Sequence, residues 1–169
     1  MRYFKYLDDD LVPGATSYSE FDQEGWELRQ VTLKDDFCLS SNVRDPVWGL
    51  HLGDQRAEDF TDQAALETDR DEFEQAWDVA LKRHESVWLR SQQSFPVGEL
   101  VQGTLACFYP QGALVALDQE TLGLVPPGEL NGLYPGAPIK ATVAGFDQRQ
   151  HWVLLREAMA TQKPKHPDG

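Results

Sequence analysis

Residues 97–156 read VGELVQGTLACFYPQGALVALDQETLGLVPPGELNGLYPGAPIKATVAGFDQRQHWVLLR. Short runs rich in Val, Leu, Thr and aromatic residues alternate with clusters of Gly, Pro, Asn and Asp, a pattern typical of strands joined by tight turns. Five short strands without a second apolar layer hide their edges best by closing on themselves, so we expect a small barrel. The predicted strands are Leu100–Phe108, Ala113–Leu117, Thr121–Val125, Ile139–Phe146 and His151–Arg156.

A skeleton of small and apolar residues runs in order through this stretch. It resembles the S1 domain, the five-stranded OB-type barrel often found in RNA-binding proteins, and the resemblance implies that fold and an RNA-binding surface. The residues that carry it are Gly98, Gly103, the run Gly112-Ala113-Leu114-Val115, Gly123-Leu124-Val125, Gly128-Glu129-Leu130, Gly136, Val143, Asp147 and Leu154-Leu155.

The positions that usually contact RNA in S1 domains are mostly changed here. The aromatics expected on either side of the Gly-Ala pair are Gln111 and Leu114, and the histidine expected after Gly-Leu-Val is Pro126. Each stacked base contributes about 1–3 kcal/mol, so these losses weaken an RNA site. Other residues could rebuild one, although aromatics such as Phe108 could equally fill the barrel core. The RNA candidates are Phe108, Tyr109, Tyr134, Asp147 and His151, the last standing where an arginine is usual.

Charge is distributed unevenly along the chain. The net charge is −13, and residues 1–94 hold 10 Lys+Arg against 21 Asp+Glu, whereas residues 95–169 hold 5 against 7. A negative field repels phosphates and attracts basic partners, although an acidic surface can also serve only solubility. If the partner is a basic protein, we expect it to contact the carboxylates of Asp59, Asp62, Glu67, Asp71 and Glu74.

The N-terminal part predicts an α+β domain. Four strands with short links, Arg2–Leu7, Ala15–Phe21, Trp26–Leu33 and Phe37–Ser41, favour an antiparallel meander, with a β-bulge near Arg29-Gln30 where the apolar alternation changes phase. Apolar residues at three- and four-residue spacing then predict one long helix over residues 69–90. We therefore predict a sheet-plus-helix domain at residues 1–94, a barrel at 95–157 and a mobile tail at 158–169.

The connection between the sheet and the helix, residues 42–65, is predicted to be irregular. Val47, Trp48, Leu50 and Leu52 are its candidate apolar anchors.

A second motif spans Tyr18–Val31. It has Tyr18-Ser19-Glu20, an acidic turn and then Trp26-Glu27-x-Arg29. This run is similar to a small bacterial domain family of unassigned function that is loosely associated with toxin–immunity neighbourhoods, and the similarity implies a protein partner. Glu20, Glu27 and Arg29 could form a polar site, but ion pairs on a sheet face are more often structural.

Motifs for catalysis, metals and cofactors are absent from the sequence. It has no Gly-rich phosphate loop and no paired metal-binding histidines, and no nucleophile stands in a recognisable context. Cys38 and Cys107 read as small buried hydrophobes. No segment resembles a signal peptide or an 18-residue membrane helix, so we expect a cytoplasmic protein.

Two functions remain open. The first is a non-enzymatic acidic binding protein of immunity type that neutralises a basic bacterial toxin. The alternative is an RNA-binding S1-domain protein with an N-terminal regulatory or recruiting domain.

Overall fold

The computed structural model describes residues 1–7, 12–52, 56–58 and 65–163, and the chain forms two compact units, Met1–Glu85 and Ser86–Gly169. The division falls at 85/86 rather than after Ser94 as the sequence predicts. The long helix is two helices, because the first ends at Arg83 with His84 as its cap and the second begins at Glu85. The apolar spacing continues across this break, so periodicity alone does not reveal it.

The first unit is an antiparallel sheet in the order β4-β3-β2-β1-β7. Its first four strands are those predicted, and β7, for which the sequence predicts no strand, pairs with β1 at the edge of the sheet. The elements are β1 Arg2–Leu7, β2 Thr16–Phe21, β3 Glu27–Lys34, β4 Phe37–Ser40, the hairpin β5 Arg44–Asp45 and β6 Gly49–Leu50, β7 Ala65–Thr68 and α1 Arg70–Arg83.

Helix α1 packs on one face of this sheet. Phe73 and Trp77 are fully buried and stack with their ring centroids 6.1 Å apart, against Val31 of β3. The Asp69 carboxylate accepts a hydrogen bond from the Glu72 amide at 2.8 Å and caps the helix. The apolar stripe thus faces the sheet along the whole of α1.

Two local predictions in this unit need correction. The register passes from Glu20↔Arg29 to Phe21↔Glu27, so the extra bulge residue is Leu28, one position before the predicted site. The residues Val47 and Trp48 are not anchors, since they are 82% and 50% exposed at the tip of the β5–β6 hairpin. The Asp45 side chain accepts both of their amides and fixes the turn, which exposes them.

The second unit is a closed five-stranded barrel in the order β10-β12-β11-β8-β9. Its strand pairs are antiparallel except β10 with β12, which run parallel. All five predicted strands are present. The elements are α2 Glu85–Ser94, β8 Leu100–Tyr109, β9 Gly112–Ala116, β10 Leu122–Val125, a 3₁₀ turn Pro127–Glu129, β11 Pro138–Asp147 and β12 Trp152–Ala160.

The barrel core is filled by alternate residues of its strands. Val101 and Leu105 of β8 meet Val115, Ile139 and branched residues of the other strands inside it. Strand β12 continues to Ala160, so residues 158–160, which were predicted to be tail, complete the barrel wall; residues 164–169 lie outside the described part.

Glycine is required where β9 begins. Gly112 has φ +143°, and a Cβ there would overlap the carbonyl oxygen of Val125. The close approach of β9 to β10 at this point therefore depends on the missing side chain. Within the described ranges, no helix is both long and apolar enough to span a membrane.

Candidate nucleic-acid interface

Phe108 is the most exposed aromatic among the described residues of the barrel unit. It lies near the end of β8, opposite Ala113 of β9, and is 45% exposed. Its neighbour Tyr109 is buried and packs edge-to-face on Trp152 at 5.7 Å. Phe108 can therefore stack on a base, whereas the Tyr109 ring helps to hold the barrel together.

Tyr134 is half-buried against the barrel core. Its hydroxyl donates to the Gln162 carbonyl oxygen at 3.0 Å, which holds the chain just beyond β12. The structure thus gives this RNA candidate a packing role, and its hydroxyl is already engaged.

Asp147 and His151 shape the turn between β11 and β12. The Asp147 carboxylate accepts the amides of Arg149 at 2.8 Å and Gln150 at 3.0 Å, and His151 adopts φ +54°. The His151 ring stacks on Trp88 of α2, with centroids 5.0 Å apart and planes 5° apart. Both candidates are therefore committed to the turn and to α2.

Helix α2 packs against the barrel through Trp88 and Ser91. Trp88 belongs to the barrel core, meets Phe146 edge-to-face at 5.6 Å and donates from Nε1 to Gln148 at 2.9 Å. Ser91 shares a 2.7 Å hydrogen bond between hydroxyls with Thr121. These contacts explain why α2 belongs to the barrel unit, and sequence periodicity could not show it because Trp88 continues the stripe of α1.

The barrel has an outer face that the sequence did not predict as a site. It is formed by β8, β11 and β12, and we call it the β8–β11–β12 face. The register aligns Lys140 of β11 with Gln102 of β8 and Met159 of β12. The next row aligns Thr142 with Leu100 of β8 and Arg156 of β12.

The side chains of this face point outward because their chain neighbours fill the core. Ile139 and Ala141 flank Lys140, and Leu155 precedes Arg156, all three being core residues. Leu100 and Met159 are 65% and 59% exposed, an unusual openness for apolar side chains on strands. The signal in the sequence was the alternation of each strand, which could not be assigned to one surface before the register was known.

The acidic residues predicted to contact a protein partner differ in their exposure and in their ion pairs. Glu67 is exposed on β7, 3.6 Å from Arg2, and Asp71 is exposed in the first turn of α1. The Glu74 side chain is only 19% exposed and binds Arg29 at 2.8 Å. Glu74 therefore belongs to an internal ion pair; Asp59 and Asp62 lie outside the described residues.

Arg29 is the centre of a buried charged network, which we call the Arg29 cluster and which includes Glu20, Glu74, Phe73 and Trp77. The Arg29 Nε donates to Glu20 at 2.5 Å, and the guanidinium also binds Glu74. It lies 4.7 Å from the Phe73 ring centroid and 5.1 Å from that of Trp77. These contacts join the sheet to α1, so the residues of the Tyr18–Val31 motif serve the fold.

Glu27 lies on the opposite face of the sheet from Arg29. The reason is the bulge at Leu28, which places Glu27 opposite Phe21. A site combining Glu20, Glu27 and Arg29 is therefore not formed on one face.

The free cysteines show no sign of activation. Burial raises the pKa of both the Cys38 and the Cys107 thiols, which disfavours the reactive thiolate. Within the described ranges, no three His, Cys, Asp or Glu side chains cluster as metal ligands. The His51 ring lies beside β3, with its Nε2 3.4 Å from the hydroxyl oxygen of Thr32.

Comparison with known proteins adds little. No family model matches the chain, and no curated protein matches it, so the Tyr18–Val31 resemblance is unsupported. Matching solved structures include GSP13 from Bacillus subtilis, at 29% identity over 43% of this chain and 66% of GSP13, with a TM-score of 0.34. The chain thus spans less than two thirds of GSP13, and this TM-score does not establish a shared fold. The closed five-stranded barrel itself fits an S1-like or OB-like domain.

Proposed function

We propose that this protein binds single-stranded RNA through its barrel, without catalysis. The supporting observation is the closed barrel, whose mixed order and single parallel pair fit an OB-type domain. Such barrels bind oligonucleotides on their outer surface and loops. The N-terminal unit would regulate or recruit the barrel.

The binding is expected to be weak and to depend little on base sequence. Leu114 stands where S1 domains usually have a stacking aromatic, and it is fully buried. Among the described residues of the barrel unit, Phe108 is the most exposed aromatic that can stack on a base. Residues 86–169 hold 6 Lys+Arg and 7 Asp+Glu, a nearly neutral balance, whereas residues 1–85 hold 9 and 21. Phosphates are therefore repelled by the first unit and only locally attracted by the second.

The RNA interpretation is preferred to the immunity interpretation for two reasons. The Tyr18–Val31 resemblance has no support, and Glu74, a predicted partner contact, is paired with Arg29, which also binds Glu20. The acidic surface then requires no partner to explain it.

Titration of labelled dodecauridine, followed by fluorescence anisotropy, tests the proposal. We expect measurable binding at about 20 mM salt and a Kd weaker than about 10⁻⁵ M near physiological salt. Phe108→Ala should weaken binding roughly 5- to 150-fold, the equivalent of about 1–3 kcal/mol for one stacked base.

The matched control is Trp48→Ala, which removes an exposed aromatic from the first unit. It should leave the affinity for dodecauridine unchanged. If the intact protein does not bind at about 20 mM salt, where electrostatic contacts are strongest, the proposed function is wrong.

A further inference from the structure

Two cations, Lys140 of β11 and Arg156 of β12, lie on the β8–β11–β12 face. Among the described residues, no carboxylate lies within 4.0 Å of the Lys140 or Arg156 side-chain nitrogens, whereas Arg90 of the same unit binds Glu120 at 2.5 Å. Both cations lie on outward positions of neighbouring strands. We propose that a single RNA strand crosses this face, with Lys140 and Arg156 each contacting a phosphate.

This placement rests on the proposed function and adds a path for the strand. It differs from the interface expected from the sequence, because Tyr109, Asp147 and His151 are committed to packing and to the turn. Lys140 and Arg156 belong to successive rows of the face, with one extra β12 residue between the rows, so they are diagonal neighbours. Two successive phosphates of one strand can then be reached without rearranging the barrel.

The groups between the cations suit a sugar–phosphate backbone. Gln102 is exposed beside Lys140 and offers an amide donor, and Thr142 lies beside Arg156. The Thr142 hydroxyl donates to the Glu157 carboxylate at 3.1 Å, so this carboxylate also lies at the face. Together with Lys140 and Arg156 it gives the face a net charge of about +1. Leu100 and Met159 offer apolar contact to sugars or bases at either side.

The small positive charge sets the expected salt dependence. Two phosphate contacts on single-stranded nucleic acid give a slope of about −1.4 in log K against log salt. Raising the salt from about 20 to about 150 mM should then weaken binding roughly 17-fold. A larger slope would mean that further cations take part.

The test is Lys140→Gln combined with Arg156→Gln, titrated with labelled dodecauridine at about 20 mM salt. We expect at least about a tenfold loss of affinity and a salt slope near zero. The matched control is Arg44→Gln with Lys82→Gln, which makes the same change in net charge at exposed positions of the first unit. It should leave both affinity and slope unchanged, and circular dichroism should show both variants folded.

Each outcome decides a separate point. If the intact protein binds but the Lys140/Arg156 variant binds equally well, the path is wrong and the proposed function stands. If the intact protein does not bind at all, both are wrong. If oligoglutamate of equal charge binds as tightly and is lost in the same variant, the face is a site for acidic peptides and the RNA path is overturned. Changes in amide NMR shifts confined to β8, β11 and β12 on adding dodecauridine would support the proposed RNA path.

Discussion

Replacing Arg29 with methionine removes the one cation of the Arg29 cluster while keeping a side chain of similar length. The Arg29 and Glu20 side chains are each 8% exposed, and that of Glu74 is 19% exposed. The variant leaves two carboxylates facing each other across the space that the guanidinium occupied. It also removes the cation from the faces of the Phe73 and Trp77 rings.

The expected loss is large because the carboxylates cannot regain water. Breaking a buried ion pair by removing one partner costs about 3–5 kcal/mol, and we expect a free energy of unfolding lower by that amount. With an m-value near 2 kcal/mol/M, the urea midpoint of the first unit should fall by roughly 1.5–2.5 M. Adding Glu20→Gln and Glu74→Gln to Arg29→Met removes the uncompensated charges and should recover at least about 2 kcal/mol.

The assay is urea unfolding followed by circular dichroism and tryptophan fluorescence, with Arg70→Met as the matched control. Arg70 lies 3.9 Å from the same Glu74 carboxylate, but its side chain is 74% exposed. Its loss should cost less than about 0.5 kcal/mol. If Arg29→Met unfolds at the same urea concentration as Arg70→Met, the cluster does not stabilise the unit and our reasoning is wrong.

Four further predictions follow from the fold. Trp77→Ala should lower the free energy of unfolding by about 3–5 kcal/mol, measured by urea denaturation, since it empties the centre of the helix–sheet packing; an unchanged midpoint would place this side chain on the surface. Gly112→Ala should lower the melting temperature of the barrel strongly, whereas Gly128→Ala, with nothing near its Cβ and no positive φ, should change it far less; equal melting temperatures would contradict the close approach of β9 to β10. Hydrogen bonds to the Glu72 carboxylate, first from Lys5 and then from Thr68, lower its pKa. The ionised carboxylate therefore stabilises the fold above the usual pKa of a glutamate, and this contribution is lost as the pH falls through the lowered pKa. In Lys5→Met the Glu72 pKa measured by NMR should rise, and an unchanged value would contradict the pairing. Limited proteolysis should release a compact fragment that begins near residue 86, and one that begins near residue 95 would show that α2 is not part of the barrel unit.

The sequence predicted the strands well because their signals are local. Turn residues and apolar alternation mark each barrel strand, and the observed bounds differ from the predicted ones by at most four residues. The cap of α1 is equally local, because the Asp69 carboxylate binds an amide only three residues further along the chain. The predicted position of the bulge differs from the observed one by one residue, because only the pairing with β2 shows which residue of β3 has no partner in the register.

The candidate site could be predicted only in part, because a contact between distant residues has no local signal. Asp147 and His151 matched positions of a known pattern, yet the stacking of His151 on Trp88 spans 63 positions of the chain and appears only in the folded unit. In the same way, nothing near Glu74 in sequence indicates that Arg29 neutralises it. Glu74, which the sequence assigned to a protein partner, therefore belongs to the Arg29 cluster.

By itself, the sequence determined that the last third of this chain forms five strands, that the first part forms a meander followed by helical residues, and that negative charge is concentrated in the first part. These features depend on neighbours within a few residues and on composition. The tertiary structure alone decided where the helix breaks, which unit Trp88 joins, and that Lys140 and Arg156 share a face. Those outcomes depend on strand register and on packing between residues far apart in the chain, where each side chain takes the position that buries its apolar surface and pairs its charge.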